Sequence, residues 1–303
     1  MAKHLAIINP AAGGGACGTR APAALERLRG AGLEVDVVMT RGRGEATEIA
    51  RAAYAAGRRD FIAGGGDGTG YEVLNGLFDA SDPRSRAPED APRLGFLPLG
   101  TGNSFLRDFS DRGAEYAIES LCEGRARACD VIRLTHPGGV LHFINIFSIG
   151  FVSDVCALRN DRFAGFGEFG YVLGVITKTA GLHTYDFPMR VDGGPEDRRP
   201  ITFLSVNNSK FTGGKMMMAP SADTSDGLLD IIHVGALGRV ALLQTFPKIF
   251  KGTHVHHPAV STAQARVIDF DIDAVIDVML DGEMLKLRPQ RLEVLPSVLQ
   301  VRA

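Results

Sequence analysis

Along the first part of the chain, apolar and polar positions fall into short blocks whose period switches back and forth. Runs at His4 to Ile8, Leu33 to Met39, Asp60 to Ala63 and Arg93 to Leu97 predict strands. Between them, Ala21 to Arg29, Glu45 to Ala56 and Tyr71 to Phe78 place apolar residues three and four apart, the spacing of one helical face. Strand and helix in succession predict a parallel βαβ layer up to about Asp130. Ser81 to Pro92, rich in proline and charge, reads as a surface loop within that layer.

From Val131 the pattern changes to β-branched and aromatic runs separated by turns at His136-Pro137-Gly138-Gly139, Asp192-Gly193-Gly194-Pro195, Ser225-Asp226-Gly227 and Asp281-Gly282. Two helical stretches interrupt it, Phe163 to Thr179 and Arg239 to Phe250. The expected organisation is therefore an α/β domain over residues 1–130 and a mainly β domain over 131–303, its last segment packing back on the first domain.

Composition narrows the partners. Among 303 residues, 33 Lys and Arg face 35 Asp and Glu, for a net charge of -2, and 45% are hydrophobic. That balance excludes a disordered chain and gives no global positive field to hold nucleic acid. The 37 glycines show no three-residue period, which excludes a collagen-like chain. Cys17, Cys122, Cys129 and Cys156 form no C-x-x-C pair, as expected of reduced thiols in a cytoplasmic protein. Asn9-Pro10 breaks the first apolar run before an export signal could develop, and Phe143 to Val152 is interrupted by Asn145, Ser148 and Gly150. Any membrane contact is expected to be peripheral.

Three loops carry candidate chemistry. The first, Asn9 to Arg20, lies between a strand and a helix, where N–H groups and the helix dipole hold anions. Gly13 and Gly18 have P-loop spacing, but Thr19-Arg20 replaces the required Lys-Ser or Lys-Thr. Gly13, Gly15 and Gly18 equally approach a dinucleotide fingerprint, although Asp36 lies inside the next strand. A plain glycine-rich turn fits as well. The second loop, Gly64-Gly65-Gly66-Asp67-Gly68-Thr69, again follows a strand and precedes a helix. Successive glycines let a backbone approach phosphate oxygens, and Asp67 among phosphates calls for Mg²⁺ between them; the alternative is a turn with Asp67 or Thr69 as helix cap. Pro98-Leu99-Gly100-Thr101-Gly102-Asn103-Ser104-Phe105 repeats the arrangement.

Asn9-Pro10, Gly65 to Thr69 and Gly100 to Asn103, with Asp226-Gly227 and Asp281-Gly282-Glu283, resemble the diacylglycerol kinase and sphingosine kinase catalytic family, including bacterial lipid kinases. The resemblance spans nearly the whole chain. It implies a Rossmann-like nucleotide-binding α/β domain and a C-terminal β-sandwich of the NAD kinase and diacylglycerol kinase type. It further implies that Asn9, Thr40, Gly65, Gly66, Asp67, Gly68, Thr69, Thr101 and Asn103 bind ATP, that Asp67 serves the magnesium nucleotide, and that Asp281 is the general base with Glu283 beside it. Asp223, Asp226 and the carbonyl of Leu228 match a structural Mg²⁺ site, and Asp130 matches a residue linked to it. The implied partner is a diacylglycerol- or sphingosine-like lipid at the inner membrane face, and a homodimer is admitted. Two departures stand out: Ser104 replaces the family's usual Asp, and the first loop lacks a Lys, leaving Arg20 and Arg107 as cations for the phosphates.

Other readings remain open. NAD kinases share Gly-Gly-Asp-Gly-Thr, and a nucleotide-binding regulator with weak catalysis would fit Ser104 and the absent lysine. Phe163, Phe166, Phe169, Tyr171, Leu173, Val175 and Ile176 are candidates to line an acyl-chain pocket or to pack on the second sheet. Met216 to Met218 are ambiguous in the same way. His254, His256 and His257 lack the acidic or Cys companions of a zinc site.

Overall fold

The computed structural model describes residues 3–78, 83–87, 90–100, 103–162, 174–175 and 177–303. Two compact units emerge, Met1–Val131 with Leu295–Ala303, and Ile132–Val294.

The first unit alternates β1 (His4–Ile8), α1 (Ala16–Gly30), β2 (Val35–Met39), α2 (Glu45–Ala55), β3 (Asp60–Gly65), α3 (Asp67–Leu77), β4 (Arg93–Pro98) and α4 (Ala114–Cys122). The strands are parallel in the order β2-β1-β3-β4. β3 is buried along its whole length, as a central strand covered on both faces must be. On one face Ala6, Ile8, Ile62 and Leu97 pack with Cys17, Ala21, Leu25 and Leu28 of α1 and with Ile118 and Leu121 of α4. The chain leaves β1 toward β2 and then crosses back to β3, so the topological switch point lies between β1 and β3. Open sheets bind ligands at the carboxyl ends beside such a point.

Two helices start earlier than periodicity predicts, α1 at Ala16 instead of Ala21 and α3 at Asp67 instead of Tyr71. The physical reason is the same in both. Glycines with no helical preference form the approach and the first turn, and tertiary contacts make it helical. Gly13, Gly14 and Gly15 take left-handed φ angles of 64°, 66° and 91° and turn the chain straight into α1. At the opposite, amino end of the sheet, Asp60 is 3% exposed and is held by Arg93 at 2.6 Å and Arg302 at 3.1 Å. Burial alone would raise its carboxyl, but these guanidinium partners hold it below the usual carboxylate range.

The second unit adds β5 (Arg127–His136), which begins in the first unit, β6 (Gly139–Phe143), β7 (Ile146–Gly150), α5 (Phe151–Arg162), β8 (Met189–Val191), β9 (Glu196–Asp197), β10 (Ile201–Asn207), β11 (Phe211–Thr212) and β12 (Met216–Met217). It continues with β13 (Leu229–Gly235), β14 (Val260–Ala265), β15 (Val267–Phe270), β16 (Ile276–Leu280), β17 (Glu283–Leu287) and β18 (Arg291–Arg302). One antiparallel sheet runs β14-β13-β10-β7-β16-β17. The β5–β6 hairpin and β15 with β8 and β9 supply the facing layer, and the sandwich closes on aromatic rings. Phe147 of β7 stacks 6.4 Å from Phe143 and 5.6 Å from Phe270.

β18 serves both units. Arg291, Leu292 and Glu293 pair antiparallel with β15, whereas Gln300, Val301 and Arg302 pair parallel with β4. The predicted helix Arg239 to Phe250 is an α-helix only over Arg239–Thr245 and tightens to a 3₁₀ turn over Phe246–Lys251, where Pro247 removes a backbone donor. The predicted helix from Phe163 lies largely outside the described residues.

Candidate active site

In the first unit, register brings the predicted nucleotide residues to one edge. Ile8 is paired with Met39 and Gly64, Gly64 with Leu97, and Gly65 with Pro98, so Asn9, Thr40, Gly66 and Leu99 all fall just past aligned strand ends. Backbone hydrogen bonds lock that edge together. Asn9 donates to the Gly64 carbonyl at 2.8 Å, Thr40 to the Ile8 carbonyl at 2.8 Å, and Leu99 and Gly100 both donate to the Gly65 carbonyl, at 3.0 and 2.8 Å. The Asn9 side chain accepts from the Ala11 N–H at 3.1 Å, forming a turn that aims the chain into the glycine loop. A Cβ at Gly100 would lie 2.9 Å from the Gly66 nitrogen, so only glycine lets the second and third loops touch.

Asp67 is the first residue of α3, following Gly66, which caps the helix without a side-chain bond. Its carboxylate therefore sits where the helix dipole favours negative charge. Ser104 reaches it from the third loop: its N–H donates at 3.1 and 3.2 Å and its hydroxyl at 3.1 Å. Burial pushes the Asp67 carboxyl up, and the Ser104 donors pull against that rise. Ser104 is itself 1% exposed. The residue that looked like a missing acid instead supplies two donors, where an Asp side chain would set a second carboxylate against the first. Asn103 donates to the Gly100 carbonyl at 3.4 Å. Thr101 lies outside the described residues.

Thr69, 4% exposed, keeps a hydroxyl with no hydrogen-bond partner among the described residues. An orphaned buried hydroxyl on the first turn of α3 is what a site built for ligand oxygens would leave behind.

In the second unit, Asp281 and Gly282 form a two-residue hairpin between β16 and β17, with Leu280 opposite Glu283. Their φ angles are 47° and 92°, as a type I′ turn requires. The turn expected at Asp281-Gly282 is thus a hairpin turn, and the side chain adds a further role. Asp281 is 5% exposed, and its carboxylate accepts three backbone N–H groups: Ile144 at 3.1 Å on Oδ2, and Asn145 and Ile146 at 2.9 Å each on Oδ1. Its own N–H donates to the Ile146 carbonyl at 2.9 Å. The carboxylate is thereby locked in orientation, and Oδ2 carries fewer of these bonds than Oδ1. Glu283 is half-buried beside it.

Asp223 and Asp226 lie on the turn before β13. The Ser225 N–H and hydroxyl donate to Asp223 Oδ1, and the Leu228 N–H donates to Asp226 Oδ1 at 2.9 Å. Burial, and then the neighbouring carboxylates of Asp230 and Asp223, push the Asp226 carboxyl up. Gln264 Nε2 donates to the other oxygen of Asp226 at 3.5 Å and to Asp230 Oδ2 at 3.3 Å, and carboxylates crowded at this turn fit a cation that keeps most of its water. Asp230 is a member of this cluster that sequence reasoning missed. No group of three or more His, Cys, Asp and Glu side chains among the described residues is arranged to hold a metal by itself. Asp130 is fully buried and accepts the Ser297 N–H at 2.8 Å. The histidines diverge: His254 is buried with Nε2 on the Met218 carbonyl, and His257 Nδ1 accepts the Ala259 N–H.

The second unit also holds an apolar pocket with a cavity volume of about 50 Å³, walled by Phe151, Phe203, Met218, Val234, Leu242 and Ile249. Val175 lines it too. The other residues proposed for an acyl pocket, Phe163, Phe166, Phe169, Tyr171, Leu173 and Ile176, lie outside the described residues.

A doubly wound layer with glycine loops at its carboxyl edge, together with an antiparallel sandwich carrying an acidic hairpin, defines the class of NAD kinase-like and diacylglycerol kinase-like phosphotransferases. Comparison with known proteins narrows the class. Residues 3–134 match the diacylglycerol kinase catalytic domain, and residues 145–303 match the YegS C-terminal NAD kinase beta sandwich-like domain. A diacylglycerol kinase of Mycobacterium tuberculosis H37Rv is 30% identical over 99% of this chain and 95% of its own length. A YegS-like "probable lipid kinase" of Pseudomonas aeruginosa is 32% identical, over 92% of this chain and 88% of its own. The solved structure of a candidate diacylglycerol kinase from Bacillus anthracis superposes with a TM-score of 0.78 at 26% identity, covering 99% of this chain and 96% of that one. The chain belongs to the diacylglycerol kinase family of lipid kinases. No helix among the described residues is long and apolar enough to cross a membrane.

Proposed function

We propose that this protein transfers the γ-phosphoryl group of ATP to a hydroxyl of a diacylglycerol- or sphingosine-like lipid. The observation that carries the reading is Asp281, a buried carboxylate aimed by three backbone N–H groups in a chain whose other unit presents aligned glycine loops. The loops at Asn9 to Gly15 and Gly65 to Thr69 offer N–H groups and two helix N-termini to the phosphates, with Thr40, Thr69 and Asn103 around them. Asp67 would hold the magnesium ion of the nucleotide, which would neutralise charge on the phosphate oxygens. Asp223, Asp226 and the Leu228 carbonyl would hold a second, structural magnesium. The acceptor oxygen bonds to the γ-phosphorus as the bond to the ADP oxygen breaks, and the hydroxyl proton passes to the Asp281 carboxylate, with Glu283 beside it. The apolar pocket of the second unit suits a lipid chain.

The test is labelled ATP with magnesium, offered diacylglycerol, sphingosine, ceramide and NAD in parallel. Phosphorylation of a lipid is the expected result, and transfer to NAD alone would refute the reading.

A further inference from the structure

Exposed large apolar side chains are few among the described residues: Val38, Met39, Val240, Leu243, Phe250 and Val275. Half of them fall between residues 240 and 250, on the helix Arg239–Thr245 and the 3₁₀ turn that follows. Val240 is 69% exposed, Leu243 42% and Phe250 43%, and with exposed Pro247 they recur every three or four residues, on one face. The opposite face, Leu242, Thr245, Phe246 and Ile249, walls the apolar pocket. The segment is thus apolar on both sides; its inner side walls the pocket, and the outer side stays exposed among the described residues, with the Phe250 ring 6.0 Å from that of Phe246.

Charge supplies the second observation. The chain is slightly acidic overall, yet residues 231–268 contain no Asp or Glu. Arg239, Lys248 and Lys251 are exposed along the outer stripe, and none of them has an ion-pair partner among the described residues. Exposed aliphatic and aromatic side chains framed by unpaired cations match the boundary of an anionic bilayer. Apolar groups enter the acyl region there, and Lys and Arg reach back to phosphate headgroups.

We propose that the segment Arg239–Lys251 is the surface by which this protein docks on an anionic phospholipid membrane, with Val240, Leu243 and Phe250 inserted and Arg239, Lys248 and Lys251 on the headgroups. It deepens the lipid-kinase reading and rests on it only for the purpose of docking. Docking by this face would set the wall of the apolar pocket against the bilayer that supplies the acceptor.

The experiment is co-sedimentation of the full chain with vesicles, without nucleotide, so that binding is read independently of catalysis. Wild type should pellet with phosphatidylcholine–phosphatidylglycerol vesicles and much less with pure phosphatidylcholine. Lys248→Gln with Lys251→Gln should weaken anionic binding by on the order of tenfold or more, and high salt should erase the difference from wild type. Val240→Ser with Leu243→Ser should weaken it at every salt concentration, whereas Val275→Ser, on a separate exposed site, should leave it unchanged. All of these positions are exposed, so circular dichroism should confirm intact folding. Binding unaffected by both double variants, wild type that ignores anionic vesicles, or a soluble dimer that Val240→Ser with Leu243→Ser dissolves would each overturn the proposal. Vesicle binding with no lipid phosphorylated would sink the kinase reading and leave the docking surface standing.

Discussion

Asp67 and Asp281 are both aspartates beside a glycine at the end of a strand, and the protein treats them in opposite ways. Asp67 opens a helix in the parallel unit and stays half-buried; among the described residues its partners come from Ser104, a single residue of a neighbouring loop. Asp281 tips a hairpin in the antiparallel unit and is clamped by three consecutive N–H groups of the chain entering β7. A carboxylate held by one side chain and one amide can readjust to a bound ion. One held by a run of backbone cannot turn without breaking the strand entry, which suits a group that must meet a proton in one place. The same dipeptide chemistry thus yields an adaptable acid in one unit and a fixed one in the other.

The largest expected effect breaks the fixed partner. Asp281→Asn should keep the left-handed turn, which Asn tolerates, but it removes the proton acceptor and turns an NH₂ group toward a backbone N–H. Turnover should fall by roughly 100- to 10,000-fold. ATP affinity should hardly change, and one stranded N–H should cost about 1–3 kcal/mol of stability in chemical denaturation. An Asn variant that turns over normally would remove Asp281 from the mechanism.

Asp67→Asn comes next. Loss of one charged contact should raise the KM for magnesium-ATP by roughly ten- to hundredfold, from about 1.5–3 kcal/mol. Without magnesium the variant should bind ATP at least as well as wild type, because a carboxylate next to phosphates has gone. Calorimetry in both conditions reads the difference, and a variant equally weakened with and without the metal would contradict the role.

A smaller effect is expected at Ser104→Ala. Burial raises the Asp67 carboxyl and the Ser104 donors lower it, so removing the hydroxyl should raise it further. The ionised form is then lost at higher pH as pH falls. The acid limb of kcat/KM should move upward in pH, while Ser104→Thr, which keeps a hydroxyl, should restore the wild-type limb.

Asp197 calibrates the scale as a surface acid with no site role. Its partner Arg199, at 2.6 Å, holds the carboxyl down at about 2. A depressed carboxylate stabilises above its unfolded value and loses that contribution as pH falls through about 2. The pair is partly exposed, so Asp197→Asn should cost less than about 1 kcal/mol at neutral pH and nothing in strong acid, read by unfolding at both.

Where local pattern and local chemistry agree, the sequence is legible. The strands β1, β3 and β4 lie where the apolar runs predict them, and the three glycine loops meet at one edge. The helix starts at Ala16 and Asp67 were hidden, because glycine-rich first turns look like loops and only the neighbouring strands make them helical. Ser104 looks like a lost acid in the sequence because its partner, Asp67, is distant along the chain. Asp230 is hidden inside β13, since a strand position carries no local sign of the carboxylates beside it. The clamp on Asp281 was invisible for a different reason. Its donors are the backbone of Ile144, Asn145 and Ile146, and a backbone N–H has no letter.

By itself, then, the sequence determined the alternation that makes a parallel layer, the change to a mainly β unit, and the residue types that can meet phosphate and metal. These depend on period, turn chemistry and composition, all of which act over a few residues. Tertiary structure alone decided that Ser104 would serve Asp67, that Asp281 would be immobile, and that the stripe Val240–Phe250 would face outward while its other side closed a pocket. Each of those depends on which group distant in sequence comes within hydrogen-bond reach of a side chain or leaves it uncovered, and the packing of whole elements, not local pattern, sets that distance.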